Sequence, residues 1–153
     1  MMNDTVFQLY ALCSCVLVVI LYGLGFDREV QSAVRVLTAK TRNDRKVVVN
    51  PEDSKINGGA AVADVEHADV QRLKRAHTNS LENAVPFFAV GLLYAMTSPS
   101  LTLARALFIT FVAIRVLHAV FYLSAKQPFR TASFAVGAII NLTMVVQIVR
   151  AVL

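Results

Sequence analysis

Arg75, Asn79 and Glu82 stand at i, i+4 and i+7, and Arg115, His118 and Tyr122 at i, i+3 and i+7. At 100° per residue each trio falls within about 60° of a single helix face. Each is therefore a polar stripe on an otherwise apolar helix. Arg130 and Thr131 open a further apolar stretch just beyond the link at Ser124 to Phe129. Arginines, a carboxylate, an amide, a phenol and a hydroxyl suit a ligand with several carboxylates and one ammonium. Arg clamps carboxylates bidentately, and a carboxylate accepts from an ammonium. The bland alternative is that Glu82 pairs with Arg75 or Arg115 as interhelical glue. His77 lies off the Arg75 face and reads as a packing residue. Cys13 and Cys15, two apart on a helix, face different ways. They make neither a good disulfide nor a metal site, so no metal is expected.

The elements that must carry these groups are membrane elements. The chain has 153 residues, 56% hydrophobic and 16% charged, where soluble domains run to about 45–50% and about 25%. Four segments are long enough, or nearly so, to cross a hydrocarbon core, which takes roughly 20 apolar residues. They are Val6 to Phe26, Leu81 to Thr97, Leu101 to Leu123 and Ala132 to Val149. Period-2 alternation is absent from all four, so helices and not a barrel are expected. No Lys or Arg precedes the first segment, which speaks against a cleaved signal peptide. Pro86 lacks the N–H that would bond the carbonyl of Glu82, freeing that carbonyl at the edge of the polar stripe.

Ten of the 15 Lys and Arg residues lie between Asp27 and Arg75. The positive-inside rule puts that loop and the Ser124 to Phe129 link in the cytoplasm, with both termini lumenal or external. The formal net charge of +5 then reports topology and attraction to anionic membrane lipids. No basic motif interleaved with aromatics suggests nucleic acid. The expectation is an all-α membrane protein forming one domain over 1–153. Its up-down four-transmembrane-helix bundle has helices over about 5–36, 70–97, 101–124 and 128–151 and a cytoplasmic loop over about 37–69. The polar stripes of three helices then converge at the cytoplasmic face. An ionisable group inside a membrane helix costs at least ~2.5 kcal/mol if it faces lipid, so these groups must face protein or water.

Four runs carry a resemblance: VNPED (Val49 to Asp53), DVQRLKRAHTNSLENAVPFFAVGLLYAMT (Asp69 to Thr97), IRVLHAVFYL (Ile114 to Leu123) and FRTASFAVG (Phe129 to Gly137). This chain resembles the MAPEG family, membrane-associated proteins of eicosanoid and glutathione metabolism, from about Val49 to the C-terminus. Within it the chain looks most like the microsomal glutathione transferases, and next like the microsomal prostaglandin E synthases. The resemblance implies a homotrimer of four-helix subunits with glutathione, as substrate or cofactor, bound between neighbours near the cytoplasmic side. It places Arg75, Asn79, Glu82, His118, Tyr122 and Arg130 on glutathione, with His77 and Arg115 in support. Arg42 is the first-loop arginine chosen to reach a neighbour's glutathione. Arg130, Thr131 and Asp53, of the NPED turn, are the expected catalytic group.

The activity so implied is glutathione transfer through an activated thiolate to a hydrophobic electrophile entering from the bilayer between the first and fourth helices, with peroxidase action on lipid hydroperoxides. The alternatives are a prostaglandin E synthase-like isomerase and a non-catalytic lipid-binding scaffold. Thr78, Thr131 and Phe134 stand where the prostaglandin synthases have Arg, Ser and Tyr; Thr131 keeps a hydroxyl, but Phe134 removes one, which weakens the isomerase reading more than the transferase reading. The retained Glu82 and Arg130 weaken the scaffold reading. The implied location is the endoplasmic reticulum or another microsomal membrane in a eukaryote, and the inner membrane in a bacterium.

Overall fold

The computed structural model describes residues 4–38, 47–48, 51–56, 59, 61–62, 64 and 68–153. Four long helices dominate it: α1 (Thr5–Thr38), α3 (Ala68–Met96), α4 (Leu101–Leu123) and α5 (Gln127–Val152). Between the first two lie a six-residue helix α2 (Pro51–Ile56) and two short strands, β1 (Val47–Val48) and β2 (Ala61–Val62), paired in parallel. The described part of the long loop thus folds back on itself through this pairing, which the sequence did not suggest. Arg42 lies outside the described residues, and so does the side chain of Asp53, whose backbone is in α2.

Three of the long helices are apolar enough to cross a membrane: the Thr5–Gly25 part of α1, α4 and α5. α3 falls short because its first half carries Arg72, Lys74, Arg75, Asn79 and Glu82. Pro86 lies inside α3 without ending it. α1 packs against α3 and α4, and α5 packs against the same two, while α1 and α5 do not meet among the described residues. α3 and α4 therefore form the short diagonal of a four-helix rhombus. The first and fourth long helices lie on opposite sides of it. A substrate path between those two helices is consequently not a cleft within one chain.

The core is divided along its length. At one end Phe87, Tyr94, Phe108 and Phe111 are buried with Val6, Cys13, Leu17 and Met144. Phe87 stacks on Phe111 with ring centroids 4.4 Å apart and meets Phe108 edge-on at 5.7 Å. The Tyr10 hydroxyl donates to the Phe88 carbonyl at 2.8 Å, and its ring lies across Gly91. At the other end a smaller cluster of Leu24, Leu73 and Ala119 adjoins a polar interior of Ser80, Asn83, Arg115, His118 and Ser133, all buried. Antiparallel neighbours bring Arg75 of α3, Tyr122 of α4 and Arg130 of α5 to this same end.

Candidate functional site

The local backbone explains why two of the polar groups meet. α4 ends in a turn in which the Lys126 N–H donates to the Phe121 carbonyl at 2.9 Å and the Ala125 N–H to the Tyr122 carbonyl at 3.2 Å. This pair of bonds puts the residue after the helix into the left-handed region, and Ala125 takes it with φ 57°. α5 then starts at once, with Pro128 in its first turn. The reversal takes so few residues that the last turn of α4 and the first of α5 lie side by side. The Arg130 guanidinium sits over the Tyr122 ring, 4.6 Å from its centroid, a cation–π contact of the kind that fixes a cation without neutralising it.

A pocket of about 320 Å³ opens beside them, lined by Lys74, Arg75, Thr78, Asn79, Glu82 and Tyr122. Four of these, Arg75, Asn79, Glu82 and Tyr122, are positions that the two stripes single out. Lys74 and Thr78 were missed. The i, i+4 relation of Lys74 and Thr78, and of Thr78 and Glu82, could have found them, since it sets them along the same helix surface. Thr78 and Glu82 are exposed, Lys74, Asn79 and Tyr122 half-buried.

Beneath the pocket lies Arg115, with 2% of its surface exposed. Its Nη2 donates to Asn79 Oδ1 at 3.3 Å, while Nε and Nη1 have no partner among the described residues. Arg75 Nη1 donates to Gln71 Oε1 at 3.3 Å. Glu82 forms no ion pair among the described residues, so it does not act as glue to Arg75 or Arg115. The Asn79 carbonyl accepts from Asn83 Nδ2 at 2.9 Å, tying the amide that meets Arg115 to the next turn. His118 Nδ1 lies 3.1 Å from the Arg130 carbonyl and 3.0 Å from Ser133 Oγ, and its Nε2 has no partner among the described residues. The His118 and Tyr122 rings are 5.8 Å apart, tilted by 55°.

The remaining residues fall elsewhere. The His77 ring faces α1, where a Cβ on Gly25 would stand 3.7 Å from its Nε2; it is away from the pocket lining. Thr131 is exposed on α5, next to the half-buried Arg130, and Phe134 is exposed to 43%. Among the described residues no group of three His, Cys, Asp or Glu side chains could hold a metal ion.

The MAPEG family model matches residues 9–150, which spans all four long helices and the pocket. The chain belongs to the MAPEG family. Among its relatives, microsomal glutathione S-transferase 1 of Rattus norvegicus is 40% identical over 117 residues, covering 74% of this chain and 76% of that one. The same protein of Homo sapiens is 39% identical over an equal span. Prostaglandin E synthase of Bos taurus is 32% identical over 150 residues, 97% of this chain and 91% of its own length. As a MAPEG member the chain is membrane-bound, and α1, α4 and α5 supply helices fit for that setting.

Proposed function

We propose that this MAPEG member is a glutathione transferase of the membrane, with glutathione held in the pocket between α3 and α4 and its sulfur near Arg130. The observation that carries this reading is a set of charged groups that do not neutralise one another. Glu82 is unpaired among the described residues, Arg75 has only an amide acceptor in Gln71, and Arg130 rests on a ring. Such a set is complementary to a ligand with two carboxylates and an ammonium. The pocket's volume, about 320 Å³, lies at the lower end of the ~300–1,000 Å³ usual for small-molecule sites.

Glu82 takes the γ-glutamyl ammonium. Arg75, Arg42 and Arg115 take the carboxylates, and Asn79, His118 and Tyr122 complete the binding set. His77 supports the first turns of α3 from the α1 side. A free thiol has a pKa of about 8.5, and only its anion is a good nucleophile. The fixed charge of Arg130 and a hydrogen bond from Thr131 favour that anion, and Asp53 acts from the short loop helix. The thiol proton leaves to solvent. The sulfur then forms a bond to an electrophilic carbon while the bond to the leaving group, such as a halide, breaks and the halide departs with the electron pair. With a lipid hydroperoxide, two glutathiones supply two electrons, giving an alcohol, water and the glutathione disulfide.

The assembly we propose is a homotrimer of four-span subunits with a cytoplasmic loop and external or lumenal termini. Its membrane would be the endoplasmic reticulum or a bacterial inner membrane. Because α1 and α5 flank opposite sides of one subunit, the lipid-side entry for the second substrate then lies between neighbouring copies.

A second reading, an isomerase of prostaglandin E synthase type in which glutathione is regenerated, is favoured by the match of that relative to 97% of the chain. A panel of an aryl halide, a lipid hydroperoxide and the prostaglandin endoperoxide separates the two. The role of Arg130 is tested by Arg130→Leu, which should lower aryl halide turnover at least about tenfold, a floor below the roughly 10²–10³ lost with one fully engaged electrostatic donor. The variant should stay membrane-inserted with the same oligomeric state; wild-type turnover would reject the assignment.

A further inference from the structure

Ser133 belongs to none of the polar stripes and lines no part of the pocket, yet it is 3% exposed on an apolar helix. A buried hydroxyl must find partners, and those it finds are specific. Its Oγ donates to the Arg130 carbonyl at 2.9 Å. Its one proton is thereby spent, so toward His118, 3.0 Å away, the oxygen can only accept. His118 Nδ1 must then carry the hydrogen. The same Nδ1–H points at the Arg130 carbonyl at 3.1 Å, another pure acceptor, so both contacts require the same tautomer. Three bonds close a small ring joining α4 to the first turn of α5.

Both ends of Arg130 are held by this ring. Its carbonyl accepts from Ser133 and His118 directly. Its guanidinium rests on Tyr122, whose ring packs against the His118 imidazole, one turn away on α4. We propose that Ser133 is a positioning residue, which fixes the His118 ring and the backbone of Arg130 so that the Arg130 guanidinium is held over Tyr122 at the pocket. Its effect on catalysis rests on the transferase reading above; its effect on Arg130 does not.

Three variants of the full chain in detergent or bilayers isolate the hydroxyl. Ser133→Ala removes it, while Ser133→Val and Ser133→Thr have nearly the same shape and differ in having it. With an aryl halide substrate, the Ala and Val variants should lose about fivefold in kcat with the KM for glutathione changed less than about twofold, the scale of one lost hydrogen bond felt mainly at the reacting end. The ultraviolet absorption of the bound thiolate should fall alongside kcat. The Thr variant should recover both relative to Val.

Independently of turnover, the Arg130 Nε proton in 15N-arginine spectra should be shifted upfield by the Tyr122 ring in the wild type. It should move back toward the ordinary arginine position in Ser133→Ala. Retained kcat, thiolate signal and Arg130 shift in Ser133→Ala would overturn the proposal, as would a Thr variant no better than Val. If the wild type turns over no glutathione, the transferase reading fails while the Arg130 shift still decides whether Ser133 holds that side chain.

Discussion

The two ends of this bundle are built on opposite terms. At one end Phe87, Phe108, Phe111 and Tyr94 interlock, with rings stacked or edge-on at 4.4–5.9 Å. At the other, the buried polar side chains are Ser80, Asn83, Arg115, His118 and Ser133, and four of their polar atoms, Ser80 Oγ, Arg115 Nε and Nη1, and His118 Nε2, have no partner among the described residues. In a bilayer helices gain little by hiding apolar surface from lipid, so close packing and interhelical bonds must hold them. The aromatic end supplies the packing. Among the described residues the polar end leaves these four atoms unpaired at a cost in stability, where the aromatic cluster leaves the Tyr94 hydroxyl.

The contrast is broken most sharply at Phe87, which is fully buried and contacts four other rings, Tyr10, Phe88, Phe108 and Phe111. Phe87→Ala leaves a cavity that the interlocked rings cannot fill. We expect a loss of about 2–4 kcal/mol, somewhat below the soluble-protein range because transfer to lipid contributes little. Thermal unfolding in detergent reads it, and the glutathione affinity of the folded fraction should stay within a factor of two or so, since no pocket residue moves. A weak stability effect would mean that the aromatic end is not what holds the helices.

Arg115→Met tests the other end, with the opposite signs. The arginine is buried with one hydrogen bond, to Asn79, and no acidic partner among the described residues. Replacing a poorly compensated buried charge by an apolar side chain of similar length is often neutral or stabilising. The unfolding midpoint without glutathione should therefore not fall, while glutathione affinity should drop about tenfold if Arg115 takes a carboxylate. Added glutathione should raise the wild-type midpoint more than the variant's. A variant that melts early and binds normally would make Arg115 a structural residue.

The aromatic and polar ends were not equally legible in the sequence. Apolar length and the absence of alternation suffice for four long helices, and α1, α3, α4 and α5 are there. Helical spacing put Arg75, Asn79 and Glu82 on one face, and the pocket has all three. Spacing gives direction around a helix but not depth. It could not say that Arg115 would lie beneath the pocket, bonded to Asn79, while Arg75 stayed exposed. Nor did it mark Ser133, because a serine in an apolar helix usually bonds its own backbone, and its second partner is set by where α4 lies. His77 is two residues from Arg75 and from Asn79, about 160° around the helix from each, and its ring accordingly turns toward Gly25 of α1. The short parallel pair of β1 and β2 carries too few residues for any periodicity to register.

Two glycines give the smallest and most direct test of the same division. A Cβ on Gly91 would stand 3.1 Å from Tyr10 Cε2 and 3.2 Å from its Cδ2. That ring cannot retreat easily, because its hydroxyl is bonded to the Phe88 carbonyl and Phe7, Phe87 and Phe108 surround it. A Cβ on Gly137 would meet Ile114, Phe111 and Arg115 at 3.7–3.9 Å, ordinary contact distances. Both substitutions gain the helix preference of Ala over Gly, up to about 1 kcal/mol. Only at Gly91 does overpacking outweigh it, so Gly91→Ala should lose about 1 kcal/mol net. Gly137→Ala should gain about 0.5 kcal/mol. The difference in unfolding midpoint between the two variants is the readout. If both stabilise, Tyr10 has room to move and the aromatic end is looser than its ring distances imply. If both destabilise, the polar end is packed as tightly as the aromatic one, and the space beside Arg115 is not there for a ligand to use.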